Sequence, residues 1–487
     1  MSPYIGSVMK LLSAPFVAGL CAAVLLPAPA YAQQPPTPPG EQSPPSEPAP
    51  AEERRPFRGI FGVPDLDPRH SLVFSGSVFG AYDDNIAAAL TQGSGQRSGN
   101  NRRLQQSGGY GAAFGGLNYN VALGGPRFSF GANAGAQLRY FRFDGESTVL
   151  PYYHDAATAG MHFSLSRSTR LSATQTFAYS RNYRFHVFPV FGDTTDDTIE
   201  DFVDADPDLD LFERSVFRHL TSVSLSHHFG RNTSGSIGYG FRYADFLDSE
   251  DDDAAVRAAR QHRDYSNHSI FGRFEHRRPL TTHATLHLGY GLRLSDGRAG
   301  SGEPRNVHHI NAGVSYSRAL SFSRRTSLHF ASGSTYVASE RLSDPNVDPR
   351  SRFRITGNAS LVHELGRTWT ASALYRRGLI FREGFEEPFS SDSASARIAG
   401  LVTRRLSFSA QGSWALSKLQ RGGRTGHRAF AGSANSTYAL SQYFALFAQY
   451  IYYDYTFEED VPLDPLFPRA LTRQGVRAGI TTTIPIF

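Results

Sequence analysis

Apolar and polar residues alternate along most of the chain from Ser71 to Phe487. Every second residue from Phe128 to Tyr140 is apolar, and the residues between them are Ser, Gly, Asn, Gln and Arg. The segments 233–243, 284–294 and 406–414 repeat this pattern. A period of two predicts β-strands, and about ten such residues in a tilted strand cross a bilayer. Glycine and serine are too small and too polar for a sandwich core, so the second face indicates a wet interior.

Extended over the whole chain, the alternation predicts about eighteen strands. Their predicted first residues are Ser71, Gly109, Arg127, Asp155, Arg170, Ser215, Asn232, Tyr265, His283, Val307, Arg325, Arg352, Thr368, Ser393, Arg405, Arg428, Tyr443 and Gln474. Long connections follow the odd strands and short turns follow the even strands. The long connections are 86–107, 183–214, 245–264, 295–305, 338–351, 381–392, 416–427 and 457–473. This organisation is typical of an all-β protein that folds as a transmembrane antiparallel up-and-down β-barrel of about sixteen to eighteen strands.

Such a sheet has to close, because every backbone polar group in lipid must be paired. An even strand number places both termini on the periplasmic side. Aromatic residues near the strand ends predict interfacial girdles. Those on one side are Tyr82, Tyr140, Tyr243, Tyr336, Tyr375 and Tyr452, and those near the other are Phe74, Phe128, Phe163, Phe229, Tyr316, Trp369, Phe408 and Phe444. The terminal Phe487 favours insertion by the barrel-assembly machinery, although Ile480, Ile484 and Ile486 fall on the opposite register from it.

The N-terminal segment has the pattern of a secretory signal peptide over residues 1–32. Lys10 precedes an apolar stretch, and Ala30-Tyr31-Ala32 offers a small-x-small cleavage site. An uncleaved anchor helix is disfavoured by the prolines within the segment. Residues 33–70 are predicted to be a Pro-rich disordered periplasmic leader before the barrel domain, residues 71–487. The single cysteine, Cys21, lies inside the signal, so disulfides and thiolate metal sites are excluded from the mature chain.

Composition excludes several classes of protein. Hydrophobic residues make up 40% of the chain and the mean hydropathy is -0.35, which excludes a bundle of transmembrane helices. The net charge of +5 is too small to indicate nucleic-acid binding. The sequence has no nucleophile elbow and no His-Glu-x-x-His motif, and its 17 histidines are scattered over several strands. We therefore expect neither enzymatic activity nor a cofactor.

Arginines dominate the charges on the polar faces of the predicted strands, with few carboxylates among them. The pore-lining candidates are Arg139, Arg242, Arg273, Glu275, Arg293, Arg352, Arg354, Arg376, Arg397 and Arg477. A ladder of arginines in a narrow aqueous path attracts anions and repels cations. The sequence thus predicts an anion-preferring channel or a track for an acidic polymer. Equally, these arginines could pair with loop carboxylates or face lipid phosphates at the rims.

Two predicted loops are strongly acidic. Residues 193–213 contain ten carboxylates and no basic residue, and residues 245–253 contain six more carboxylates. The alternating residues Asp204, Asp206, Asp208 and Asp210 resemble a calcium ladder but lack the glycine and distal glutamate of a helix-loop-helix calcium site. A divalent cation bridging to lipopolysaccharide is one interpretation. A solvated loop that folds inward onto the arginines, as a constriction or plug, is favoured, and no metal site is assigned.

A short motif ends the first predicted strand. It reads Gly80-Ala81-Tyr82-Asp83-Asp84-Asn85-Ile86, and a long loop follows it. With the turn pattern of residues 165–172, repeated loosely at 403–407, it resembles the outer-membrane β-barrel porin family often described as "outer membrane beta-barrel protein". The resemblance covers residues 71–487 and implies the barrel fold. It also implies a link of some members to exopolysaccharide production and export. Chemically, Asp83, Asp84 and Asn85 can cap the strand end or bind neighbouring arginines.

The preferred hypothesis is a porin-like channel of a Gram-negative outer membrane that passes polar, anionic solutes. The alternatives are an accessory channel for exopolysaccharide secretion and a structural or adhesive barrel with a blocked lumen. The expected partners are outer-membrane lipid and lipopolysaccharide, the barrel-assembly machinery during insertion, and polysaccharide export proteins under the second hypothesis.

Overall fold

The computed structural model describes residues 59–61, 70–84, 107–123, 127–143, 146–180, 216–246, 265–297, 306–319, 325–338, 353–380, 389–419, 425–458 and 469–487. The chain divides into two units, Met1–Arg55 and Pro56–Phe487. The predicted signal peptide and nearly all of the predicted leader lie outside the described residues, as do both acidic loop segments apart from Asp245 and Phe246.

Eighteen strands form one sheet in which every neighbouring pair is antiparallel and the last strand pairs with the first. The fold is therefore a closed up-and-down β-barrel, as the alternation predicts. Within the described residues, no helix is long and apolar enough to cross a membrane. The strands are β1 His70–Asp83, β2 Gly108–Leu123, β3 Phe128–Phe143, β4 Glu146–Ser164, β5 Thr169–Ser180, β6 Val216–His228, β7 Thr233–Phe246, β8 Tyr265–Pro279, β9 Ala284–Gly297, β10 Asn306–Ala319, β11 Thr326–Ala338, β12 Phe353–Leu365, β13 Trp369–Ile380, β14 Phe389–Leu401, β15 Leu406–Leu419, β16 Thr425–Ala439, β17 Phe444–Phe457 and β18 Ala470–Pro485.

One hairpin departs from the predicted organisation. The predicted fourth strand begins near Asp155, whereas β4 begins at Glu146, with only two residues between it and the end of β3. The β3–β4 connection is therefore short. The ladder between these strands shifts register between Gln137 and Arg139, opposite the stretch of β4 that contains Pro151. Proline donates no ladder hydrogen bond and interrupts the alternation, which accounts for both the irregularity and the wrong boundary. Strands β14, β16 and β18 also begin three or four residues earlier than predicted.

The ladder registers define two faces that alternate around the whole ring. One face contains the most exposed apolar side chains, among them Val78 and Ile355, each 66% exposed. The other face contains the fully buried side chains of Arg139 and Tyr455. A concave inner wall crowds its side chains, and an outer wall leaves them open. The first face is therefore the outer one, and its apolar character suits contact with lipid.

All fourteen aromatic residues predicted for the girdles fall on the outer side of the barrel. The register places Tyr82, Tyr140 and Tyr375 on the outer face near the ends joined by long connections, and each is more than two-fifths exposed. At the opposite rim, Phe163 and Phe444 are 40% and 46% exposed. Aromatic side chains at both ends of an apolar band are the arrangement expected of a barrel that crosses a bilayer.

The short turns share a local hydrogen-bonding device. The Thr403 hydroxyl accepts hydrogen bonds from the backbone N–H groups two and three residues later, at 3.2 and 3.0 Å. Thr281 and Ser441 do the same in their own turns. Such turns favour a short side chain with an acceptor oxygen at the first position, which Ser and Thr supply here. In the turn after β12, Gly366 adopts φ 69°, which only glycine reaches without strain.

The two ends of the barrel chain meet at the short-turn rim. The backbone N–H of Leu72 donates to the Phe487 carbonyl at 2.9 Å, and the N–H of Ile486 donates to the Leu72 carbonyl at 2.7 Å. The β17–β18 ladder ends at Thr482, so Pro485 pairs only with β1 and its missing donor costs nothing on the other side. The isoleucines of this segment face outward, and Pro485 and Thr483 face inward.

A tryptophan covers a glycine on the neighbouring strand. A Cβ at Gly400 would overlap the Trp369 ring, with which Gly400 is paired. We expect Gly400→Val to displace the ring and to destabilise the barrel by roughly 1–3 kcal/mol, the usual cost of overpacking. The tryptophan emission of a Trp414→Phe background, in which Trp369 is the only remaining tryptophan, would report the movement. Gly272→Val is the control, because nothing lies within 4 Å of a Cβ there. Unchanged emission from the Gly400 variant would contradict this packing.

Candidate functional site

The inner face of the described strands carries a large excess of positive charge. Twelve arginines occupy inner-face positions, against four carboxylates, Asp83, Glu146, Glu275 and Glu364. The outer face is nearly balanced, with six basic and five acidic positions. The twelve arginines are Arg139, Arg170, Arg218, Arg242, Arg273, Arg277, Arg293, Arg354, Arg376, Arg397, Arg473 and Arg477.

Eight of the nine arginines singled out in the sequence fall on this inner face, and so does Glu275. Arg352 lies outside the described residues. For Arg293 and Arg354 the register gives the face of the backbone position, and their side chains are not described. The predicted set therefore lies on one continuous wall, although it spans strands that are far apart in the sequence.

Four inner-face arginines are not among the pore-lining candidates that the sequence predicts. Arg473 precedes the predicted start of β18, and Arg218 lies in a stretch of β6 whose two faces are both partly apolar. Arg170 lies at a strand start, and Arg277 is adjacent to an outward-facing arginine. A predicted start of β18 at Ala470, where the strand begins, would have included Arg473. Arg277 has the same parity as Arg273 and Glu275, so continuing the alternation to the end of the strand would have recovered it.

A buried ion pair joins the first and last strands near the long-connection end. The Arg473 guanidinium donates from Nε to both carboxylate oxygens of Asp83, at 2.8 and 2.6 Å, and from Nη2 to Oδ2. Its Nη1 donates to the Tyr453 hydroxyl at 2.7 Å. The side chains of Arg473 and Asp83 are 4% and 8% exposed. The pair fastens the seam at which the barrel closes.

The rest of the family motif behaves differently from Asp83. The Asp84 carboxylate accepts a hydrogen bond from the Gln474 backbone N–H at 2.8 Å, and the Asp84 N–H donates to the Gln474 carbonyl at 3.0 Å. Asp84 thus caps the end of the β1–β18 ladder. Tyr82 faces outward and is 57% exposed. Asn85 lies outside the described residues, as do Asp204, Asp206, Asp208 and Asp210.

Two more inner-face arginines rest against aromatic rings beside this seam. The Arg477 guanidinium carbon lies 5.3 Å from the centre of the Phe79 ring, and its Nε donates to Gln449. The Arg139 guanidinium carbon lies 4.9 Å from the centre of the Tyr110 ring, and the Arg139 side chain is fully buried. Cation–π contacts of this kind attract a guanidinium to the face of the ring and help to hold it in position.

Burial divides the inner wall into two zones. Towards the long connections many inner residues are buried, including Arg139, Arg218, His427, Tyr453 and Tyr455. Farther from those buried rows, Arg273 and Arg397 are exposed. Arg376 is also exposed, on β13. The interior therefore combines a crowded zone with an open zone whose arginines meet water.

Glu275 is held within the open zone by one of its arginine neighbours. The Arg277 Nε donates to the Glu275 carboxylate at 2.7 Å, and the two side chains are 66% and 28% exposed. A solvated pair of this kind contributes little to stability. It does engage the single described carboxylate of the inner face of β8, on which Arg273 is a further, exposed arginine.

No family model matches the chain, and no curated protein matches it. Among solved structures, the chain is similar to Pseudomonas aeruginosa OccK5 (OpdH), with 12% identity over 88% of this chain and 100% of that chain and a TM-score of 0.41. For Pseudomonas aeruginosa OpdL the identity is 12%, the coverage 86% and 99%, and the TM-score 0.39. Pseudomonas aeruginosa OccK2 (OpdF), solved in complex with glucuronate, is 9% identical, with coverage of 86% and 98% and a TM-score of 0.40. Likenesses at these TM-scores carry no argument about function, and the barrel assignment rests on the strand pairing itself.

Proposed function

We propose that this protein is an outer-membrane channel that passes polar solutes and prefers anions. The single observation that carries the proposal is the charge asymmetry of the two walls. Among the described strand residues, arginines outnumber carboxylates twelve to four on the inner face, while the outer face is nearly neutral. A closed barrel with an apolar outer wall and aromatic girdles suits a bilayer. Its basic interior attracts anions and repels cations.

The membrane and its sidedness belong to the same proposal. Both described chain ends of the barrel lie at the short-turn rim, which in bacterial barrels is the periplasmic one. The signal pattern of residues 1–32 supports export. No described feature favours an exopolysaccharide cargo over small anions, so that alternative is not carried further.

The decisive measurement is single-channel conductance of the refolded protein in a planar bilayer under a salt gradient. We expect a steady conductance, and a reversal potential whose sign shows that anions permeate better than cations. Replacement of Arg273, Arg376 and Arg397 with Gln should lower the anion-to-cation permeability ratio roughly two- to tenfold. A permeating ion about 10 Å from one arginine in water interacts with its charge by about 0.4 kcal/mol, and salt screens part of this interaction.

A matched triple replacement on the outside of the barrel serves as the control. Arg278, Arg318 and Arg428 lie on the outer face, and all three side chains are exposed. Their replacement with Gln removes the same charge without touching the inner wall and should leave the ratio unchanged. Absence of conductance in protein shown to be folded by heat-modifiable gel mobility would overturn the channel proposal in favour of a structural barrel with a blocked lumen.

A further inference from the structure

The outer wall carries a basic cluster on three of the four consecutive strands β13 to β16. Its members are Arg377, Lys418 and Arg428, which we call the outer basic cluster, and all three side chains are exposed. The ladder links Arg377 to Asp392, Asp392 to Leu416, and Leu416 to Arg428. The two arginines therefore lie on one cross-strand row of the outer face, and Lys418 lies two residues farther along β15. All three are within three residues of the strand ends at the long-connection rim.

An aromatic row lies directly beside the outer basic cluster, one step farther from the rim. The ladder joins Tyr375 to Ala394, Ala394 to Trp414, and Trp414 to Phe430. Tyr375 and Phe430 are each 43% exposed, and the Phe430 ring lies 5.8 Å from the ring of Tyr452. Aromatic residues of this kind mark the level at which acyl chains give way to headgroups. The cluster consequently lies at the level of the lipid headgroups.

The carboxylates near the cluster are already engaged. Asp392 accepts a hydrogen bond from the Tyr375 hydroxyl at 2.7 Å and lies 3.7 Å from the Arg377 Nε. Arg377 nevertheless stays 50% exposed. Asp454, in the row of Phe430, accepts a hydrogen bond from the Thr472 hydroxyl at 2.7 Å. Asp392 thus contacts Arg377, and half of the Arg377 side chain remains accessible. Lys418 and Arg428 are exposed at the level of the headgroup layer.

The spacing of the three cations suits two phosphate groups. Lys418 and Arg428 lie on adjacent strands about 4.8 Å apart and are offset by two residues, so their backbones are about 8 Å apart and their long side chains can converge on one phosphate. Arg377 is two strands from Lys418 with the same offset, about 12 Å away, and can reach a second phosphate. Arginine binds phosphate with paired N–H groups, and lysine binds it as a point charge.

We propose that the outer basic cluster is a binding site for the phosphates of a lipid headgroup in the leaflet at the long-connection rim, namely lipopolysaccharide. The choice of lipid rests on the membrane placement given under the proposed function, whereas the binding itself does not require an open channel. A barrel with a blocked lumen would retain the site. The experiment therefore measures binding and not conductance.

The test is native mass spectrometry of the refolded full-length protein in detergent, titrated with rough lipopolysaccharide. We expect the triple variant Arg377→Gln/Lys418→Gln/Arg428→Gln to bind about a hundredfold more weakly than the parent. Each basic residue beside an anionic lipid surface strengthens binding about fivefold, and the three factors multiply. The control variant Arg278→Gln/Arg318→Gln/Arg405→Gln, at the opposite rim, should bind like the parent. Dephosphorylated lipopolysaccharide should bind the parent as weakly as the triple variant binds the intact lipid.

A second measurement needs no variant. Lys10 and Lys418 are the only lysines in the sequence, so amine acylation followed by peptide mass spectrometry reports on Lys418 directly. Intact lipopolysaccharide should slow acylation of Lys418, and the dephosphorylated lipid should not. Equal binding by the triple variant and the parent, an equal loss in the control variant, or acylation of Lys418 at the same rate with and without lipid would overturn the proposal.

Discussion

Replacing Asp83 with Ala is expected to destabilise the barrel by about 3–5 kcal/mol. The carboxylate is the buried counter-ion of Arg473, and the two side chains are 8% and 4% exposed. Its removal leaves a buried guanidinium without its principal acceptor, at the seam where β1 meets β18. The denaturant midpoint of the folded form, followed by heat-modifiable gel mobility in lipid vesicles, would measure the loss.

Two further variants separate this mechanism from a general sensitivity of the barrel to lost carboxylates. Glu275→Ala removes an inner-face carboxylate whose partner Arg277 is 66% exposed, and we expect it to cost about 0–1 kcal/mol. The double variant Asp83→Leu/Arg473→Met replaces the pair with apolar side chains and should recover much of the stability. If Asp83→Ala cost no more than Glu275→Ala, the seam pair would have no special role in closure.

Reversal of three inner-wall charges is expected to reverse the ion preference of the channel. In the variant Arg273→Glu/Arg376→Glu/Arg397→Glu the formal charge of the exposed inner wall falls by six. At about 0.4 kcal/mol per charge in water, the permeability ratio should change by roughly ten- to fiftyfold, enough to change the sign of the reversal potential. The measurement is the reversal potential in a planar bilayer under a salt gradient, repeated at higher ionic strength, where screening should shrink the difference.

The corresponding outer variant makes this prediction specific to the lumen. Arg278→Glu/Arg318→Glu/Arg428→Glu changes the net charge of the protein by the same amount but leaves the inner wall intact. It should keep the parental sign. A sign change in the outer variant, or none in the inner variant, would show that the exposed inner arginines do not set the selectivity.

Much of the fold could be predicted because its pattern is local. Side chains in a strand point to opposite sides in turn, so the alternation from Phe128 to Tyr140 already separates the outer wall from the inner wall. Thr281, Thr403 and Ser441 stop strands through hydrogen bonds within three residues. The prediction failed where the local pattern itself breaks, around Pro151 in β4, since an interrupted alternation no longer distinguishes a strand from a loop.

By itself, then, the sequence determined a closed barrel of about eighteen strands and placed eight of its twelve inner-face arginines on one wall, because parity along a strand needs no partner. The tertiary structure alone decided which residues become neighbours across strands. Asp83 and Arg473 are 390 positions apart and meet only through the stagger at which the sheet closes. The outer basic cluster on β13 to β16 depends on the same registers. Register is set by all the strands together around the ring, so no single segment encodes it.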